Sequence, residues 1–103
     1  MAPVNPRAKI NWAIWKHRVS FNLNEFAAVL AEVEPANERV TPERAAFLRL
    51  IQEDAMTGKL RTVKDRHANE YYKPDLYPAY FDVSKADAIQ WAESKSFNIS
   101  HIK

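Results

Sequence analysis

Gly58 is the only glycine in the chain, and that scarcity constrains both fold and chemistry. A Walker loop, a GxGxxG dinucleotide loop and a GxSxG nucleophile elbow each need more than one glycine, so all three are excluded. The same residue punctuates the best-signalled element. Thr41 is a capping residue, and Pro42 follows in the first helical position, where its missing N–H costs nothing. Phe47, Leu48, Ile51 and Ala55 recur at helical spacing, supported by Ala45 and Leu50. Gly58 then stands where a left-handed residue ends a helix. The spacing predicts a helix running from Thr41-Pro42 to Gly58.

Two further helices carry similar marks. Asn22 with Glu25 three residues later reads as a capping box. Leu23, Phe26, Ala27, Leu30 and Val33 follow on one face, and Pro35 is expected to stop the helix, because the residue before proline avoids helical geometry. Ser84, with Asp87 three residues on, caps a last helix whose buried face is Ile89 and Ala92, with Ala88 and Trp91 beside them. Leu60 to Lys64 and Ala79 to Val83 read as strands, and pairing them as a hairpin is the economical choice. Val19, Phe21 and Leu23 alternate with polar residues and suggest a brief extended piece before the first capped helix. Ile10 to Val19 reads as a short helix or turn. The tail from Phe97 keeps Ile99 and Ile102, which predicts that part of it packs back. The expected architecture is a mainly α domain with a small β-hairpin, over residues 19–103, preceded by an aromatic and basic arm over residues 1–18.

Length and composition fit that picture. A chain of 103 residues supports one domain with one modest core. Apolar residues make up 47% and charged residues 27%, which are globular rather than disordered values. There is no cysteine, so disulfides, thiolate metal sites and a cysteine nucleophile are excluded. No apolar stretch follows Met1-Ala2-Pro3-Val4-Asn5-Pro6-Arg7 and no run approaches a membrane span, so a cytoplasmic protein without membrane contact is the expectation.

Catalytic groups do not assemble in the sequence. His17, His67 and His101 are far apart, and nothing has zinc spacing. The serines lack a nucleophile elbow, and Ser84 already serves as a cap. Glu53 and Asp54 are adjacent on what reads as an exposed helix surface, where nothing separates their pKa values for acid–base work. The expectation is a binding protein with no catalytic residue, metal or cofactor, and no small-molecule substrate.

Net charge is only +2, too little to imply nucleic acid by itself. Its distribution says more. Acids are missing before Glu25, whereas Arg7, Lys9, Lys16 and Arg18 precede it; Glu25, Glu32, Glu34 and Glu38 then follow without a base between them. A second basic cluster, Lys59, Arg61, Lys64 and Arg66, is interrupted only by Asp65. Such a strand can neutralise phosphates along a duplex; equally, lysine on an edge strand guards against aggregation. All four tyrosines fall between Tyr71 and Phe81. Tyrosine suits a partner surface, and the competing reading has the loop folding its rings over a small core. Trp12 and Trp15 read best as core anchors.

From Val19 onward the layout resembles the excisionase and MerR-like winged-helix group. The residues that carry the resemblance are Phe21, Leu23, Glu25, Ala27, Ala28 and Leu30, then Gly58-Lys59-Leu60, then Phe81 and Val83, then Ser84, Asp87 and Trp91. The sequence also looks like small prophage proteins of similar layout. The resemblance implies a winged helix-turn-helix fold and a DNA-binding accessory or regulatory module of a mobile element. Duplex contacts would come from the wing residues Lys59, Arg61, Lys64 and Arg66 and from Arg44 and Arg49 on the second helix. Two departures stand against it. Glu34 to Thr41 is longer than the tight turn of that group, and the second helix also carries Glu43, Glu53 and Asp54. The alternative is a protein-binding module, such as a phage-borne inhibitor or adaptor of a host factor, working through Tyr71, Tyr72 and Tyr77.

Overall fold

The three helix N-termini expected to be capped form as their capping residues require. In a computed structural model, which describes residues 10–36, 40–100 and 102, Asn22 Oδ1 accepts from Glu25 N at 2.8 Å while Glu25 Oε1 accepts from Asn22 N at 2.9 Å. Thr41 Oγ1 accepts from Arg44 N at 3.2 Å, and Ser84 Oγ from Asp87 N at 3.0 Å. Each side-chain oxygen satisfies an amide that has no partner inside its helix. The elements, in order, are α1 (Trp12–Trp15), β1 (Ser20–Asn22), α2 (Leu23–Leu30), α3 (Pro42–Thr57), β2 (Val63–Lys64), β3 (Phe81–Ser84) and α4 (Lys85–Ser94), with a 3₁₀ turn over Pro78–Tyr80 before β3.

The C-terminal ends differ from expectation in an instructive way. Proline does not stop α2. Glu32 takes a left-handed backbone, φ 57°, with Glu32 N donating to Val29 O and Val33 N to Ala28 O. Those two bonds make a Schellman ending, so α2 finishes at Leu30 and Val33 packs beyond it. Ser96, φ 65°, ends α4 in the same manner, with Ser96 N donating to Glu93 O and Phe97 N to Ala92 O. Gly58 behaves as its position predicts, with φ 80°. A Cβ at Gly58 would meet no atom within 4 Å, so substitution there is opposed by backbone strain alone. Gly58→Val is therefore expected to cost about 1 kcal/mol or more, and Gly58→Ala about 1 kcal/mol. Urea unfolding checks both; an Ala variant as stable as the parent overturns the assignment.

The sheet has three strands rather than two. β3 lies between β1 and β2, antiparallel to both, with Phe21 opposite Val83 and Val63 opposite Asp82. The expected β2–β3 hairpin forms, with β2 shortened to two residues. The extended piece around Phe21 becomes the third strand. Among the described residues this is a small α/β domain of four α-helices and one antiparallel sheet.

α2 is the centre of the core. Leu23, Phe26, Ala27, Ala28, Val29 and Leu30 are all buried and only Asn24 and Glu25 are partly exposed, so the helix buries far more than one face. Phe26 meets Trp91 of α4 edge-on at 5.6 Å, and Trp91 stacks on Phe97 at 5.9 Å. From α3, only Ile51 is fully enclosed; Phe47, Leu48, Leu50 and Ala55 pack partly against the cluster. Ile99 and Ile102 are buried, so the tail does pack back.

The described part of the N-terminal arm, residues 10–18, belongs to the same core. Ile10 and Trp15 are buried. Trp15 Nε1 donates to Glu34 Oε1 at 2.7 Å, and Asn11 N to Glu34 Oε2 at 2.9 Å. The arm thereby staples the segment after α2, and its tryptophans act as anchors. Arg7, Lys9, Glu38 and His101, named in the sequence reading, lie outside the described residues.

Candidate binding surface

The loop after β2 lies beside α3, and one side chain fixes the two together. Gln52 of α3 donates through Nε2 to the carbonyls of Pro74 and Asp75, both at 3.0 Å. The loop over residues 65–80 is a chain of tight turns. Asp65 N donates to Tyr80 O at 2.7 Å, Tyr72 N to Asn69 O at 3.0 Å and Tyr77 N to Lys73 O at 2.9 Å. These bonds bring Tyr72 and Tyr77 into a parallel stack, with centroids 3.8 Å apart and planes 11° from parallel. Tyr80 stands 5.2 Å from Tyr72.

The tyrosines therefore divide. Tyr72 is half-buried and packs on the core. Tyr77 keeps 39% of its surface exposed while stacked on it, and Tyr71 is 78% exposed. Leu76, which no sequence signal singles out, is 75% exposed beside them. Part of this segment forms a small aromatic core of its own, and part faces solvent.

The basic residues are exposed but do not form one patch. Lys59 and Arg61 border an open depression of about 310 Å³ with Asp87, Gln90 and Trp91 near α4. Lys64 faces the loop: its Nζ donates to Glu70 O at 3.3 Å and lies 5.7 Å from the Phe81 ring centre. Arg66 Nε donates to His67 Nε2 at 3.4 Å. Arg61 precedes β2, which begins at Val63, and borders a different depression from Lys64. Among the described residues no carboxylate forms an ion pair with Arg61, Lys64 or Arg66.

On α3 the two arginines part company. Arg49 is exposed. Arg44 is buried between α3 and the segment after α2, its Nη2 donating to Pro35 O at 3.4 Å, and burial pushes its pKa down. That placement removes Arg44 from the solvent face on which a phosphate contact had been expected.

Asp54 also departs from expectation. It is buried, not exposed beside Glu53. Its Oδ2 accepts from Trp91 Nε1 at 2.8 Å and pairs with Lys95 Nζ at 3.1 Å. Burial pushes the carboxyl up, but the hydrogen bonds from Trp91 and Lys95 and the charges of Lys95 and Lys59 outweigh it, so the pKa falls below the ordinary value. Asp82 on β3 moves the other way: burial and the Asp65 charge raise it, and Arg18 opposes them in part.

Among the described residues no group of three or more His, Asp or Glu is placed to hold a metal ion. No described helix is long and apolar enough to cross a membrane. The chain matches no protein-family model, no curated protein and no solved structure.

Proposed function

We propose that this chain is a non-catalytic, winged-helix-like binding module that grips duplex DNA, as an accessory or regulatory protein of a mobile element. One observation carries the reading: the chain runs β1–α2–α3–β2–β3 with sheet order β1–β3–β2. The Gln52 bonds to Pro74 and Asp75 hold the β2–β3 loop against α3, in the manner of a wing beside a recognition helix. Arg49, Lys59, Arg61, Lys64 and Arg66 are exposed cations of this region, and Lys73 is exposed on the same loop. They act on phosphates and not on base edges, because Glu43 and Glu53 share the exposed side of α3 with Arg49. With a net charge of +2, binding is weak and mostly electrostatic. A gel-shift titration against random-sequence duplex is expected to show binding at about 50 mM salt and steep loss by about 200 mM. No shift at the lower salt overturns the reading.

A second reading, a protein-binding module of the inhibitor or adaptor kind, is favoured by the exposure of Tyr71, Tyr77 and Leu76 on one loop. Large amphipathic rings and an exposed leucine suit a protein partner better than a phosphate backbone.

A further inference from the structure

Met56 stands on the exposed side of α3, 46% exposed, where two depressions meet. One, of about 300 Å³, is bordered by Arg49, Gln52, Glu53, Met56, Thr57 and Asp75. The other, of about 250 Å³, has Met56 again, with Lys64, Tyr72, Lys73 and Pro74. The two share Met56 and together line a seam between α3 and the loop, and the Gln52 bonds to Pro74 and Asp75 tie helix and loop to each other.

The charges along this seam are sorted. Lys64 and Lys73 border the end next to Tyr72, while Glu53 and Asp75 border the other, with Arg49 beyond them. Both lysines and both carboxylates are exposed. None of the four forms an ion pair with another described residue. The floor between them is a flexible thioether, a side chain that adapts to the shape of an incoming apolar group.

We propose that this seam is a docking site for a short, extended peptide segment of a protein partner. The segment carries an apolar side chain seated over Met56, acidic residues over Lys64 and Lys73, and a basic residue over Glu53 and Asp75. Charge complementarity selects this occupant. A nucleic-acid strand would meet Glu53 and Asp75 at one end of the seam, and a purely apolar partner would leave charges at both ends unanswered. The site rests on the protein-binding reading and gives it a partner chemistry.

The chain has two methionines, so methyl-labelled methionine makes Met56 one of only two signals, assigned with Met56→Leu. The probe is a capped peptide with two glutamates, a central leucine and two lysines. It is expected to move the Met56 methyl with a dissociation constant of about 1 mM or below. Replacing the leucine by serine, or the charged residues by glutamine, is expected to weaken binding about tenfold. Lys73→Glu is expected to do the same to the charged peptide while leaving the melting temperature in place. A Met56 signal that stays still, or that moves equally for all the peptides, overturns the site. Amide shifts confined to Tyr71 and Leu76 also overturn it, while leaving the tyrosine-loop reading of protein binding intact.

Discussion

Asp54→Ala is expected to lower the folding stability of this domain by roughly 2–4 kcal/mol. The carboxylate is buried and accepts from the Trp91 indole at 2.8 Å and the Lys95 ammonium at 3.1 Å. Removing it leaves an indole N–H in the core without its acceptor, and that unmet donor alone costs about 1–3 kcal/mol. The ion pair adds less than a fully enclosed one, because Lys95 is partly solvated. Asp54→Asn keeps an oxygen for Trp91 and loses only the charge, so its cost is smaller, about half. The pH dependence separates the two effects. The folded carboxyl titrates below its ordinary value, so its contribution is complete above the unfolded value of about 3.9. It is lost as pH falls through the lower, folded value. The stability gap between the parent and Asp54→Asn is therefore expected to be flat above about pH 5 and to close in stronger acid. Urea unfolding at several pH values measures it. A gap that stays open in acid assigns the effect to something other than charge.

The fate of Asp54 shows where sequence reading stops. Its neighbour Glu53 is exposed, and two adjacent acids on a helix read as a solvated surface. Helical spacing pointed inward all the same: Asp54 lies three residues after Ile51, the most deeply buried residue of α3. What reverses the usual preference of a carboxylate for water is a donor 37 residues away in sequence, on α4. No local pattern announces such a partner. The same holds for the Tyr72–Tyr77 stack, and for Gln52, whose two acceptors belong to a loop more than twenty residues distant.

Local chemistry was more readable. Asn22, Thr41 and Ser84 each cap the helix they precede, because a short polar side chain next to an amide without a partner has one good solution. Gly58 ends α3 for a related reason, since glycine has no Cβ to strain at positive φ. The stops at Glu32 and Ser96 were hidden because the left-handed position is filled there by residues that give no signal for it. Tertiary packing sets those two: Val33 and Ile99 are buried just past the turns, and that burial offsets the strain. The heavily buried α2 follows from the same economy. In a chain of 103 residues, one eight-residue helix packed among the other elements supplies six of the buried apolar residues.

Replacing Lys59, Arg61, Lys64 and Arg66 together by glutamine is expected to flatten the log–log salt dependence of duplex binding by up to about 3 to 4, at about 0.9 for each phosphate neutralised. That figure is an upper bound set by geometry. Lys59 and Arg61 lie toward α4, whereas Lys64 and Arg66 lie toward the loop, so a straight duplex need not touch both groups. Two paired variants separate the flanks. If DNA lies along α3 and the wing, changing Lys64 and Arg66 removes close to 2 from the slope and changing Lys59 and Arg61 removes little. A footprint reaching α4 divides the loss evenly. Arg49→Gln removes about one phosphate contact. Arg44→Gln leaves the slope unchanged, because its guanidinium is buried against Pro35. The substituted residues are exposed, and among the described residues Arg61, Lys64 and Arg66 are in no ion pair with a carboxylate. Lys59 adds a favourable charge near Asp54, so the quadruple variant is expected to lose a few degrees in melting temperature and still be compared as a folded protein. If the quadruple variant binds duplex with the salt slope of the parent, these four cations do not face DNA and the proposed duplex contact is overturned.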